Sequence, residues 1–414
     1  MTPRPGAGSR RGRGVRILGA GLLAAGATFA LAGRAVPQEA EGSPEPATRV
    51  PDADEATGGD ETAQAATRPE EDDPGFRWLR VRLRGRLIVR GQTTRVEGAS
   101  GSDVSAENAR LTLLWRPARW LRGELEYDVA ENRKLRDAFL QAGTGRFSLR
   151  GGHFKPPISV IEMDSRWDVP VSERGLLSEV LRETLGITGR RPGLQGGVEV
   201  RGKDLAAFAG VFRASSVRGD RIGDEAFDNL ATDWALKATG RVVHDRRRLQ
   251  LGVSGDWRPA EPVPGEGYRR FWTASADAAW SQRPRDGGAR LWAEGFLGST
   301  WQDSDAFDGE DTSFLAGRLV GAWRHGGRKR SAFYVEPYAM LSAFDPDTSV
   351  RDDLMWELAG GVNVGSWRRL RLTLEAQHRG VGRNAPASLG LFSFAAPAPP
   401  FARTRLVVQL GGAF

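Results

Sequence analysis

Residues 78–90 read Trp-Leu-Arg-Val-Arg-Leu-Arg-Gly-Arg-Leu-Ile-Val-Arg, an alternation of arginine and apolar side chains. Successive side chains of a β-strand point to opposite faces, so Arg80, Arg82, Arg84 and Arg86 share one face. Leu79, Val81, Leu83, Leu87 and Val89 share the other. A soluble sheet would bury the apolar face and wet the arginines. A membrane barrel turns the apolar side out to lipid and the charged side in to a water-filled lumen. The rest of the chain decides between them.

Working outward, no run of about 18 apolar residues follows residue 35, which argues against helical spans. Mean hydropathy is −0.42, a value compatible with barrel strands, which are only half apolar. There is no cysteine, which excludes disulfide frameworks, thiolate zinc sites and thiol catalysis. The four histidines, at 153, 244, 325 and 378, have no metal-ligand spacing, so no metal or cofactor is expected. Arg4, Arg10, Arg11, Arg13 and Arg16 precede an apolar run over 17–32 and small residues near Ala35, the pattern of an export signal over 1–35. Residues 36–74 are rich in Pro, Glu, Asp, Thr and Ala and read as a disordered acidic linker. This linker masks the charge of the folded part. The formal balance is +7; 1–35 carries six arginines and no acid, and 36–74 carries twelve acids against two arginines. Residues 75–414 therefore carry about +11. Such a balance suits small anions or anionic lipid, and export argues against nucleic acid.

From residue 77 the two-residue period recurs about sixteen times. Leu111, Leu113 and Trp115 alternate with Arg110, Thr112 and Arg116, and Leu121, Leu125, Tyr127 and Val129 with Arg122, Glu124, Glu126 and Asp128. Later strands are expected near 135–143, 146–152, 195–201, 205–213, 234–243, 249–257, 271–280, 289–298, 314–324, 332–342, 355–364, 369–377 and 403–414. Tight turns are expected at Pro117-Ala118, Gly143-Thr144-Gly145, Gly202-Lys203-Asp204, Asp245-Arg246 and Gly365-Ser366-Trp367. Between them lie longer links near 91–108, 153–193, 214–233, 258–270, 299–312, 343–353 and 378–402. Short and long links alternate, as they do between periplasmic turns and external loops; the link after Val129 is short for a loop. The expected fold is all-β, a transmembrane antiparallel up-and-down barrel of about 16 strands over 75–414 in the bacterial outer membrane, its outside in contact with membrane lipid.

Two further marks agree. Leu406, Val408, Leu410, Gly412 and Phe414 share a face, and a last strand ending in Phe resembles the signal read by outer-membrane assembly machinery. Of 13 tryptophans, Trp78, Trp115, Trp120, Trp234, Trp257, Trp280, Trp323 and Trp367 fall near strand ends, where aromatic girdles sit.

One segment is specific. Residues 150–159 read Arg-Gly-Gly-His-Phe-Lys-Pro-Pro-Ile-Ser, followed by Glu162, Ser165 and Ser172-Glu173-Arg174. This resembles the phosphate-selective porin O and P family, which carries Gly-x-Phe-Lys-x-Pro, then an acid, a serine and a Glu-Arg pair. Gly152, Phe154, Lys155, Pro157, Glu162, Ser165, Glu173 and Arg174 match, and Arg191-Pro192-Gly193-Leu194-Gln195 is a second match. The resemblance implies a sixteen-stranded barrel, a homotrimer, and a third external loop that folds inward to narrow the pore. Pro156-Pro157 would turn the chain sharply by fixing φ and removing donors. Leu176, Leu177, Val180 and Leu181 offer an apolar helical stripe for the inner wall. Lys155, Glu173 and Arg174 are the candidates to face the constriction.

An anion entering a narrow pore loses hydration that the wall must replace. Arginine presents a planar fork of donors suited to phosphate or carboxylate oxygens and stays charged. The candidate pore-lining anion-binding residues are Arg80, Arg82, Arg84, Arg86, Arg110, Arg150 and Lys155. Glu124, Glu126 and Asp128 face the same lumen and could instead pair with the ladder and neutralise it. Only five lysines occur, so the arginine run partly reflects composition. The expected function is passive diffusion of small anions such as phosphate, with a general non-specific porin as the alternative. A structural barrel with a blocked lumen would call for larger external loops. An enzyme such as a lipid hydrolase would need Ser, His and an orienting group on adjacent strands; His244 is expected in a turn and His378 at the start of a loop without a matching serine. No catalysis is expected.

Overall fold

The computed structural model describes residues 81–96, 99–130, 134–200, 204–213, 236–246, 248–263, 267–282, 287–299, 313–326, 333–366, 370–385 and 402–413. The first strands are β1 (Val81–Val96), β2 (Ala99–Ala118), β3 (Leu121–Asp128), β4 (Lys134–Thr144) and β5 (Phe147–Phe154). After a long loop come β6 (Arg191–Val200), β7 (Leu205–Arg213), β8 (Leu236–Arg246), β9 (Leu249–Val263), β10 (Gly267–Ser281) and β11 (Gly288–Ser299). The series ends with β12 (Ser313–Gly326), β13 (Phe333–Asp345), β14 (Met355–Ser366), β15 (Leu370–Val381) and β16 (Arg403–Ala413). Each strand pairs antiparallel with the next, and β1 closes on β16 from Arg86↔Ala413 to Val96↔Arg403. The sixteen-stranded all-β barrel expected from the alternation is the observed fold. Closure leaves no lateral edge, which a bilayer requires because it offers backbone groups no partner.

The two faces separate as the pattern demands. On β1, Leu83 is 62% exposed and Leu87 49%, whereas Ile88 is 1% exposed. On β12, Leu315 and Leu319 are exposed while Phe314 and Arg318 are buried. Outward leucines and inward polar groups are the reverse of a soluble protein and mark a lipid-facing exterior. Trp257 and Trp272 pair across β9 and β10 towards the loop end, and Trp120, Trp280 and Trp323 stand exposed towards the turn end. These are the two interfacial girdles.

Strand ends differ from expectation. The links expected over 91–108 and 258–270 are instead largely taken up by the paired ends of β1–β2 and β9–β10. The first eight residues of β2 are all exposed, so there the backbone ladder continues without alternation. At the turn end, Pro117 and Ala118 close β2, Asp245 and Arg246 close β8, and Gly365 and Ser366 close β14. His244 lies in β8 rather than a turn, and His378 in β15 rather than a loop. Tilted strands need more residues to cross the same thickness, which extends them at both ends. Residues 1–74, Arg80, Lys203, Trp367 and Phe414 lie outside the described residues, and with them the expected signal, linker and terminal mark.

Candidate functional site

The third external connection, residues 155–190, leaves β5 and turns into the lumen. Gly152 takes φ 134°, and a Cβ there would stand 2.2 Å from the Ala138 carbonyl oxygen, so the strand must carry glycine where it bends. Pro156 and Pro157 follow, and Ser159, at φ 65°, caps α1 (Val160–Met163) by accepting from the Glu162 N–H at 3.1 Å. The chain then forms α2 (Gly175–Glu179), which runs into a π-helix over Val180–Thr184.

The apolar stripe read from the sequence is what docks this loop. Leu176, Leu177, Val180 and Leu181 are fully buried against Phe271, Phe296, Phe314, Phe344 and Met355 of the inner wall. A second cluster sets Val160, Ile161, Val169 and Val171 on Trp292, Val320, Tyr338, Met340 and Ala359. Under the loop the inner wall is apolar. Both ends of the helical segment are met by opposite charge. At its start the Leu176 N–H donates to Glu357 Oε1 at 3.1 Å. At its end, Lys237 Nζ donates to the Ile187 carbonyl at 2.6 Å, and Arg258 and Arg191 donate to the Gly186 carbonyl at 2.7 and 2.9 Å.

Charged groups of the loop sit in ion pairs with the wall. Glu162 meets Arg174 at 3.3 Å and Arg318 at 3.1 Å, and Arg318 also donates to Glu294 at 2.9 Å. Glu173 pairs with Arg90 and Arg405, and Glu179 with Arg379 at 2.9 Å and Arg403 at 3.2 Å. Arg190 donates to Asp137 at 2.8 Å and to Glu126 at 3.3 Å. Burial alone would raise the Glu162 carboxyl, but Arg174 and Arg318 hold it well below the usual range. Arg90 and Arg405 do the same for Glu173. Burial, with Arg166 and Arg318 nearby, brings the Arg174 guanidinium down to about 10 against the pull of Glu162, so it stays charged at neutral pH.

The candidate residues fall into two groups. Arg82 and Arg84 are exposed and share the lumen face of β1 with Arg86, whose guanidinium donates to Ser165 Oγ of the loop at 3.2 Å. Arg110 stands opposite Arg86 in register and is tied to Asp128 at 3.0 Å and Glu126 at 3.1 Å. The other group is held in packing contacts. Arg150 is buried, stacked 4.5 Å from the Phe139 ring and 5.3 Å from Phe154, and donates to Gln141 at 2.7 Å. Lys155 donates to the Glu162 carbonyl, and burial beside Arg174 and Arg190 pushes its ammonium well down. Glu173 and Arg174 serve the ion pairs above rather than standing alone at a constriction. Glu124, Glu126 and Asp137 bring carboxylate oxygens within 4.8 Å of one another, a donor set a cation could use, but the Arg190 guanidinium already pairs with two of them.

Sequence reading passed over Arg90, Glu107, Arg166, Asp137 and Arg190. Arg90 was legible, since it continues the even-numbered face of 80–86 beyond Ile88. The others carry no local signal.

No family model and no curated protein matches the chain. Among solved structures it resembles OprB of Pseudomonas putida (TM-score 0.58, 7% identity, covering 81% of this chain and 94% of that one). It also resembles the outer-membrane channel DcaP of Acinetobacter baumannii (0.56, 11%, 81% and 97%). A third likeness is OmpF of Salmonella typhi (0.52, 10%, 81% and 98%). At such identities the likeness speaks for the fold alone. That fold is the barrel of bacterial outer-membrane porins, and the apolar exterior with its two girdles places the chain in that membrane.

Proposed function

We propose that the chain is a passive diffusion porin for small anions, phosphate among them. The observation that supports this most is the lumen face of β1, where Arg82, Arg84 and Arg86 follow one another and Arg86 reaches Ser165 of the inward loop. Successive guanidiniums replace lost hydration in steps, so an anion enters and still leaves. Arg110 belongs to the same surface, its charge shared with Glu126 and Asp128. That sharing favours a second reading, a general diffusion porin, because each wall carboxylate cancels part of the field an anion would feel. On either reading the chain catalyses nothing. The proposal also takes residues 1–35 as an export signal, 36–74 as an acidic spacer, Phe414 as the mark for barrel assembly, and a homotrimer as the working form.

Planar-bilayer recording of the refolded protein under a potassium chloride gradient tests it. The expected reversal potential lies on the chloride side, and millimolar phosphate reduces chloride conductance. Anion preference without phosphate block selects the general porin. A cation-selective or silent barrel refutes the reading.

A further inference from the structure

Glu107 enters the lumen only because of a fault in the ladder. β1 and β2 pair in register through Ile88↔Asn108 and resume at Val89↔Ala106, leaving Glu107 without a partner on β1. Arg110 and Asn108 face inward, so unbroken alternation would send Glu107 to the outer face. The bulge re-aims it. Its Oε1 accepts from Arg166 Nη1 of the loop at 2.5 Å, and its Oε2 pairs with Arg90. Arg90 pairs in turn with Glu173, and Glu173 with Arg405 on β16. Arg166, Glu107, Arg90, Glu173 and Arg405 thus alternate in sign and stitch the loop at two points to β2, β1 and β16.

Between the stitches the loop lies flush. Arg371 of β15 donates to the Arg166, Trp167 and Val169 carbonyls at 3.0–3.3 Å, and the Trp167 ring stacks 5.1 Å from its guanidinium. A Cβ on Gly411 of β16 would stand 2.9 Å from that ring. The loop therefore lies against β15 and β16, while Arg82 and Arg84 of β1 stay exposed. Glu107 is the ion-pair partner of Arg166 among the described residues. Beside it Asn108 is 1% exposed, and its amide has no hydrogen-bond partner among the described residues.

We infer that Glu107 sets the size and the charge preference of the passage: it pins the loop through Arg166 and withdraws the Arg166 and Arg90 charges from permeating ions. This rests on the diffusion-pore reading. A carboxylate at 107 makes the channel narrower and less anion-selective than its arginines alone would.

The test compares single-channel conductance and reversal potential for wild type, Glu107→Gln, Glu107→Asp, Arg166→Gln and the double variant. Glu107→Gln is expected to raise conductance and to shift the chloride-to-potassium permeability ratio about two- to threefold towards chloride. Glu107→Asp keeps the charge and stays near wild type in selectivity. Arg166→Gln also raises conductance but moves selectivity the other way, because it removes a cation while the Glu107 carboxylate stays. In the double variant conductance stays raised and selectivity returns towards wild type. A merely structural role for Glu107 would not give opposite selectivity shifts from its two partners. A silent wild type overturns the porin reading and this inference with it. A conducting wild type whose Glu107→Gln variant matches it in both measurements overturns the inference alone. Should that variant fail to fold, Arg166→Gln decides: unchanged conductance and selectivity refute the pinning.

Discussion

Freeing the inward loop should open the channel, and two leucines measure how firmly it is held. Leu177 and Leu181 are fully buried among Phe271, Phe296, Phe314, Phe344 and Met355. Truncating one such leucine to alanine costs about 3 kcal/mol in lost transfer energy and cavity. Four residues apart on one helical face, they share neighbours, so Leu177→Ala with Leu181→Ala costs less than the sum, about 4–5 kcal/mol. Each 1.4 kcal/mol is about tenfold, so the docked-to-undocked ratio falls by roughly a thousandfold. The loop leaves both strands through ordered turns, and its release does not require the barrel ladder to break. Single-channel recording should therefore show larger mean conductance and added open-channel noise, while the heat-modifiable gel shift of the folded barrel is retained. Leu319→Ala, on the exposed face of β12, is the control and should leave conductance unchanged. Wild-type conductance and noise in the double variant would refute the idea that this apolar stripe holds the loop.

Three other outcomes can be checked directly. Gly152→Ala places a Cβ against the Ala138 carbonyl oxygen and the Phe139 Cα at a φ of 134°, so the folded fraction on heat-modifiability gels should collapse, a loss of more than about 3 kcal/mol. Arg318→Met leaves Glu162 and Glu294 buried without their shared partner, and thermal unfolding should register a loss of about 3–5 kcal/mol. In the connection between β13 and β14, burial together with the neighbouring Asp345 and Asp347 pushes the Asp353 carboxyl up to about 6. The raised value penalises the ionised form, so its stabilisation is complete below the ordinary value of 3.8 and is lost as pH rises through about 6. Hydrogen exchange in residues 346–354, corrected for intrinsic rate, should be slower at pH 4 than at pH 7.5; Asp353→Asn should flatten the difference.

The sequence by itself determined the strands, their number and which face of each meets lipid. A bilayer outside and water inside impose one polarity on every second residue, and that rule is written locally, as in Leu83 and Leu87 against Arg84 and Arg86. It also marked the loop, because Pro156-Pro157 and the spacing of Leu176, Leu177, Val180 and Leu181 are local facts. Strand ends escaped it where both faces are exposed, as over 99–106. Only the tertiary structure decided which arginines stay exposed on the lumen face and which are taken up by the fold. Arg150 and Arg86 look alike in the chain, yet one stacks on Phe139 and Phe154 and the other donates to Ser165 of the inward loop. Glu107 falls in a link expected over 91–108, and only the bulge in the β1–β2 ladder turns it to Arg166. Ion pairs join side chains set by register and closure, such as Arg90 with Glu173 or Glu173 with Arg405, and no local period encodes partners so far apart in the chain.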